Sequence, residues 1–230
     1  NRGLQEAKGD LICFIDDDVR PYPDWLANLV EFARQSDADA FVGKVILPEE
    51  LCRPWMLKIH RAYLASTERI DPKKPQDLIG ANMAFRRRVL TKVPGFDPEL
   101  GAGASGFGEE TLFSYQLLEA GFQIGFAESA IVEHYFDENR LAHKAWLDQS
   151  RKRGKGSAYI AHHWRHQVIT EPSQNYFKSV LKYLSWRIDN FYNRSGIEGC
   201  SEVEMKLVHK IAFFKQYLVE RQKTKKFNFH

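Results

Sequence analysis

Five apolar residues, Leu11 to Ile15, run directly into three aspartates, Asp16, Asp17 and Asp18. A short apolar run with a polar stop reads as a buried strand. Three adjacent carboxylates at its end repel one another unless a cation joins them. Oxygen ligands of this kind suit Mg²⁺ or Mn²⁺, which keep coordination positions open for phosphates. In open α/β sheets, ligands collect beyond the C-terminal ends of strands, where this cluster falls. The plainer alternative is a solvated turn whose aspartate caps the next helix.

The flanking pattern makes the strand part of a layered fold. Residues 2–8 read as the end of a helix closed by Gly9, and Pro21 and Pro23 hold a loop. Asp24 then caps a helix to about Arg34, with Leu26, Leu29, Val30 and Ala33 at helical spacing. Ala40 to Leu47 is the next strand, Trp55 to Ser66 a helix, and Asp71 to Gln76 a polar loop. Leu78 to Phe85 reads as a strand, and Pro94 to Gly108 as a glycine-rich active-site loop. Glu109 to Ala120 is a helix ended by Gly121, and strands follow at Phe122–Phe126 and Ala130–His134. Such alternation predicts an α/β fold with a mostly parallel sheet flanked by helices. Past residue 140 the pattern is helical and basic, so the expected division is a domain over 1–140 and a helical extension over 141–230.

Charge divides the chain in the same place. Residues 1–150 carry 17 Lys and Arg against 24 Asp and Glu, a balance of −7; residues 151–230 carry 16 against 6, a balance of +10. A basic tail on an acidic body faces anionic material, which here means substrate phosphates, a membrane surface or the acidic body itself. Three scattered cysteines, Cys13, Cys52 and Cys200, match neither a disulfide framework nor a zinc spacing. They suggest a reducing cytoplasm. No apolar run approaches the roughly 18 residues of a membrane span.

Taken in order, the motifs resemble glycosyltransferase family 2. They are Asn1-x-Gly3, Ala7-x-Gly9-Asp10, Asp16-x-Asp18, Gly80-x-Asn82-x-Ala84-Phe85-Arg86, Gly95-Phe96-Asp97, Gly108-Glu109-Glu110-Thr111 and Val132-Glu133-His134. The resemblance covers residues 1 to about 136. It implies a GT-A (Rossmann-like) fold and an inverting transfer of sugar from a nucleotide-diphosphate donor to an acceptor hydroxyl. It implies that Asp16 and Asp18 hold donor and metal, with Asp18 the direct ligand. His134 then reaches the metal or the diphosphate, and Asn1, Gly3, Asp17 and Asn82 line the donor site. Glu110 matches the general base, with Glu109 beside it. The family usually has Asp at that place, and the extra methylene leaves the choice between the two glutamates open. The plainer alternatives are a histidine that merely ends a strand and two carboxylates that favour a helix dipole.

The tail offers three further features. Arg151, Lys152, Arg153 and Lys155 surround Gly154 and Gly156, a run expected to form a loop that closes Arg153 and Lys155 over the donor diphosphate, or a merely solvated one. His162-His163-x-x-His166 sets two histidines on one helical face as in zinc sites, but without a carboxylate motif it reads as a surface helix. From Tyr176 to Tyr192, Phe177, Val180, Leu181, Leu184, Ile188 and Phe191 recur at helical spacing among Lys178, Lys182 and Arg187. That helix either packs on its own domain or lies in a membrane interface. Val203 to Leu218 is a second such helix.

Expected partners are therefore a nucleotide-sugar, a glycan or lipid-linked acceptor and an anionic membrane surface, with no nucleic acid. The expected location is the cytoplasm, or the inner face of the plasma membrane. Two rivals stand against the transferase: a nucleotidyltransferase, which needs a phosphate-cradling loop near its N-terminus, and a binding module that has lost turnover. The chain opens on Asn1-Arg2-Gly3 without methionine. On the family resemblance, the strands that recognise the nucleotide base are expected upstream, and the chain as given is expected to be inactive.

Overall fold

The computed structural model describes residues 1–72, 77–191 and 197–227. Most of the loop expected at Asp71 to Gln76, and Tyr192 of the expected tail helix, lie outside them. The chain divides into two compact units, Asn1–Asp97 with Glu110–Asp137, and Pro98–Glu109 with Glu138–His230.

The first unit is built on a five-stranded sheet. Its strands are β1 (Leu11–Ile15), β2 (Val19–Pro21), β3 (Ala40–Ile46), β4 (Asn82–Arg86) and β5 (Ile124–His134), in the order β1-β4-β3-β5-β2. The α/β class holds, but the expectation of a mostly parallel sheet does not. Only β3 and β5 pair in parallel; β1–β4, β3–β4 and β2–β5 are antiparallel.

Period-two alternation sorts the strand residues between two cores. Met83 and Phe85 of β4 join Leu4, Ile12, Val89, Phe113 and Leu117 on one face. Ala84 joins Leu29, Ala33, Phe41, Ala127 and Ala130 on the other. The first face is covered by α1 (Arg2–Glu6) and α4 (Glu109–Glu119), the second by α2 (Trp25–Gln35). Arg86 closes α2: its guanidinium donates to the carbonyls of Ala33 and Ser36, and its Nε to Ala38 O at 3.0 Å. A cation at a helix C-terminus satisfies carbonyls that have no helical partner.

Several sequence expectations change. The helix expected over Trp55–Ser66 shrinks to α3 (Lys58–Tyr63). The two strands expected near 122–126 and 130–134 are one, β5, whose register against β3 shifts between Gly43 and Lys44. Asp24 sits at the start of α2, but its side chain makes no capping bond.

The second unit is helical, with α5 (His143–His163), α6 (Pro172–Asp189) and α7 (Glu202–Glu220). Here the cationic run is corrected: residues 151–156 are not a loop but the middle of α5. Its glycines serve packing. A Cβ on Gly154 would strike the carbonyl oxygen of His209 in α7, and one on Gly156 would strike that of Phe107. The histidine cluster is corrected too, because His162 and His163 are buried rather than on a surface helix. His163 Nε2 lies 3.1 Å from Glu220 Oε2, and His162 Nε2 donates to Lys223 O at 3.0 Å.

Candidate active site

β1 and β2 occupy opposite edges of the sheet, yet only Asp16, Asp17 and Asp18 join them. Four residue steps reach at most about 14 Å, while four strand spacings span roughly 19 Å. The sheet therefore curls at this end. β3 and β4 pair only over Ala40–Val42, after which β3 continues with β5 alone.

Asn82 fills that parting. It pairs with Ile15, the residue before the aspartates, and its side chain is fully buried. Its Nδ2 donates to Lys44 O at 3.1 Å and Ala130 O at 2.8 Å, and its Oδ1 accepts from Trp25 Nε1 at 2.9 Å. A side chain expected to line the donor pocket is thus engaged inside the sheet, directly beneath the aspartate turn. Trp25 and Gly43 belong to the same support and were not singled out by the sequence reading. A Cβ at Gly43 would overlap the Asn82 amide, and a glycine inside an apolar strand is the sequence signal for such a close approach.

The β2–β5 ladder brings Asp18 to His134. Val19 pairs with His134, and Tyr135 N donates to Asp18 O at 2.8 Å. His134 is buried, and its Nδ1 lies 2.7 Å from Leu64 O. A carbonyl only accepts, so Nδ1 carries a proton and fixes the ring. Nε2 then faces Asp18 Oδ2 at 3.2 Å. In the neutral ring that nitrogen presents a lone pair to a carboxylate, an arrangement that calls for a proton or a cation between them. Two neighbouring ligands of an octahedral ion bound at about 2.1 Å stand roughly 3 Å apart. The pair therefore fits a divalent cation. Asp16 and Asp17 are exposed in the turn, and Asp16 makes no three-ligand group with Asp18 and His134. Among the described residues the one such group within 4.8 Å lies in the second unit.

The remaining candidates are placed as follows. Asn1 forms a reciprocal pair with the backbone of Phe96, donating to its carbonyl at 2.8 Å and accepting from its N–H at 2.9 Å. It thereby pins the Gly95-Phe96-Asp97 loop. Gly3 is exposed in α1, with nothing near its missing side chain. Glu110 opens the part of α4 that belongs to the sheet unit, beside Gly80. Ser114 Oγ donates to Glu110 O and accepts from Leu78 N, which ties this turn to the segment leading into Asn82. Glu109 belongs to the second unit, where its carboxylate packs against Gly101 and its Oε2 is buried without a hydrogen-bond partner. Arg153 and Lys155 also lie in that unit. The Arg153 guanidinium stacks 4.6 Å from the Phe107 ring centre, and Lys155 is exposed.

The geometry offers an oriented imidazole, a facing carboxylate and further aspartates at a strand end, a set suited to holding a hard cation with its phosphate ligand. The sequence model of the family described as Glycosyl transferase family 2 matches residues 1–93. The succinoglycan biosynthesis protein ExoM of Rhizobium meliloti is 34% identical over 151 residues, 65% of this chain and 47% of that protein. A glucosyl-dolichyl phosphate glucuronosyltransferase of Haloferax volcanii is 26% identical over 110 residues, 44% of this chain and 34% of that protein. The chain thus spans about half or less of the curated relatives it matches. Among solved structures, the mannosyltransferase PcManGT of Pyrobaculum calidifontis, in complex with GDP-Man and Mn²⁺, gives a TM-score of 0.47 at 14% identity. That alignment covers 94% of this chain and 47% of that one, and the likeness is too loose to argue from. Over residues 1–93 the chain is thus similar to glycosyl transferase family 2.

Proposed function

We propose that the chain is the catalytic part of an inverting glycosyltransferase that moves a sugar from a nucleotide-diphosphate sugar to an acceptor hydroxyl, in polysaccharide or glycolipid synthesis. The observation that carries the reading is the oriented pair of Asp18, at a strand end inside the family segment, and His134, which the β2–β5 ladder brings to it. The names of the two relatives support the acceptor class.

On this reading residues 1–140 form a GT-A catalytic domain and 141–230 a basic helical extension. Asp18 and His134 hold Mn²⁺ or Mg²⁺, with Asp16 and Asp17 toward the donor. When bound, the cation supplies Lewis-acid stabilisation of the departing diphosphate. Asn82 holds the aspartate turn in place from below, and Asn1 positions the 95–97 loop. Glu110 takes the proton from the acceptor hydroxyl, and the freed oxygen attacks the anomeric carbon. The bond to the diphosphate breaks on the opposite face, the nucleoside diphosphate leaves, and the configuration inverts. Gly3 completes the proposed donor contacts, and Glu109 is the alternative base. The basic extension faces an anionic membrane that carries the acceptor, and the protein acts at the cytoplasmic face.

The test is a transfer assay on the full-length protein with a panel of nucleotide-sugars, with and without chelator. Expected are loss of turnover in chelator and in Asp18→Asn, restored in the native protein by Mn²⁺ or Mg²⁺. Glu110→Gln is expected to keep donor binding while transfer falls by roughly 10²-fold or more, the usual scale of general-base catalysis. Turnover undiminished in chelator overturns the metal role. An inactive Glu109→Gln beside an active Glu110→Gln reverses the base assignment.

A further inference from the structure

The second unit holds a cluster that the transfer reaction does not use. His143, at the start of α5, meets Cys200 and Glu204, at the start of α7. One ligand atom from each lies within 4.8 Å of the other two. We propose that these three residues form a zinc site that clasps the two helices, independent of the cation held by Asp18 and His134.

The backbone sets the ligands in place before any ion arrives. His143 N donates to Ile197 O at 3.1 Å, Gly199 N donates to Leu141 O at 2.8 Å, and Ala142 bridges Glu198. Gly199 takes a left-handed turn, φ +85°, directly before Cys200. Ser201 caps α7 by accepting from Glu204 N at 3.1 Å, which fixes the first helical turn and with it Glu204.

The distances suit tetrahedral zinc. With Zn–S near 2.3 Å and Zn–O near 2.0 Å, a tetrahedral edge from sulfur to oxygen is roughly 3.5 Å. Cys200 Sγ stands 3.5 Å from Glu204 Oε2. His143 Nε2 stands 2.8 Å from the same oxygen, so a slight opening, to roughly 3.3 Å, would admit the ion. Glu204 uses its two oxygens differently. Oε1 accepts from Tyr183 of α6 at 3.2 Å and lies 3.9 Å from Arg187, while Oε2 is turned to the histidine and the cysteine. Partners that orient a ligating carboxylate in this way are a regular part of metal sites.

Ligand chemistry selects the metal. One thiolate, one imidazole and one carboxylate suit Zn²⁺ and its spectroscopic substitute Co²⁺, whereas Mg²⁺ and Mn²⁺ prefer oxygen. Cys200 and Glu204 are buried and His143 is partly exposed, which leaves the solvent side for a water as fourth ligand. Binding displaces the thiol proton, so the ion joins a thiolate and a carboxylate with its charge matched.

The experiment is titration of the whole protein with Co²⁺, read by thiolate-to-cobalt absorption, followed by displacement with Zn²⁺. One equivalent is expected to give the thiolate band in the native protein and in Asp18→Asn, and no band in Cys200→Ser. Tyr183→Phe is expected to keep the band while weakening affinity by about 10- to 100-fold, the usual cost of losing an orienting partner. Circular dichroism establishes that each variant is folded, and His143→Gln serves as the second ligand variant if Cys200→Ser is not. The proposal fails if the folded native protein shows no thiolate band, or if the band survives in both ligand variants. Transfer activity is not the readout, so the outcome is separable from that of the proposed function.

Discussion

Asn82 shows how one side chain can decide whether a site exists. Its three hydrogen bonds reach β3, β5 and the first residue of α2, at the level where the aspartates begin. Asn82→Ala would leave the Trp25 N–H and two buried carbonyls unpaired, each worth roughly 1–3 kcal/mol when stranded. A stability loss of about 3 kcal/mol or more is expected by denaturant titration, together with weaker metal binding at Asp18. A variant of native stability would show that the amide faces a pocket after all. The turn of aspartates at the end of β1 was legible in sequence, because an apolar run ending in carboxylates reads as a strand with a polar stop. The environment of Asn82 was not: the resemblance set it in the donor pocket, and its hydrogen bonds inside the sheet follow only once the curl of the sheet is known. His134 was legible only through its motif. What holds its ring, the carbonyl of Leu64, is 70 residues away in sequence.

Elements carried by pattern came through best, and those set by context worst. β1, α2, β3 and α4 fall within about a residue of the spans read from apolar spacing. β2 was missed because Val19-Arg20-Pro21 is three residues long with a proline, a composition tolerated only at a sheet edge. The middle of α5 was read as a loop because glycine is a poor helix former, yet close packing against α7 and Phe107 overrides that preference. Gly154→Ala is therefore expected to destabilise the helical unit by about 1–3 kcal/mol, the range for overpacking. Gly3→Ala, with open space around it, is expected to leave stability unchanged or raise it by up to about 1 kcal/mol, so any loss of activity there would report the donor. Thermal unfolding of the two variants side by side checks both; equal midpoints would sink the packing argument. The same helix pair sets a pH response. Burial holds His163 below its ordinary value of 6.5, and its Nδ1 is buried without a hydrogen-bond partner. Burial, then the nearby Arg153 charge, lowers His209 as well. As pH falls below 6.5 the unfolded chain takes up protons that the folded helices resist, so stability present above pH 6.5 is lost as pH falls through the lower folded values. Burial opposes the Glu220 carboxylate, but hydrogen bonds from Lys223, His163 and Gln216 outweigh it and hold Glu220 below 4.5, so its share is lost only in stronger acid. Melting midpoints at pH 7.5 and 5.5 should differ, and His209→Gln should narrow the gap. A flat profile between those two pH values would refute the assignment.

At the scale of the whole molecule, the proposed membrane contact rests on the charge division and one helix face. α6 exposes Phe177, Leu181, Leu184 and Ile188, followed by Phe191, with relative exposures from 51 to 75%. These residues recur at intervals of four and three, so they form a single stripe that the described residues leave uncovered. Lys178 and Lys182 flank it on exposed positions, within a region whose balance is +10. No helix among the described residues is long and apolar enough to cross a membrane; on the proposed function this face lies on a bilayer surface. Each basic residue near an anionic bilayer contributes about 1 kcal/mol, an attraction that fades as salt shortens the screening length. The apolar stripe adds a shallow insertion that salt does not weaken. Binding to anionic vesicles is therefore expected at low salt and reduced at high salt, with little binding to neutral vesicles. A Phe177→Ser/Leu184→Ser variant should bind more weakly at every salt concentration, since it removes insertion and leaves the charge. Co-sedimentation decides the matter. Negligible binding to both vesicle types at low salt would mean that the stripe meets protein instead, and a dimer in size-exclusion chromatography that the double variant dissolves would identify a second copy as its cover.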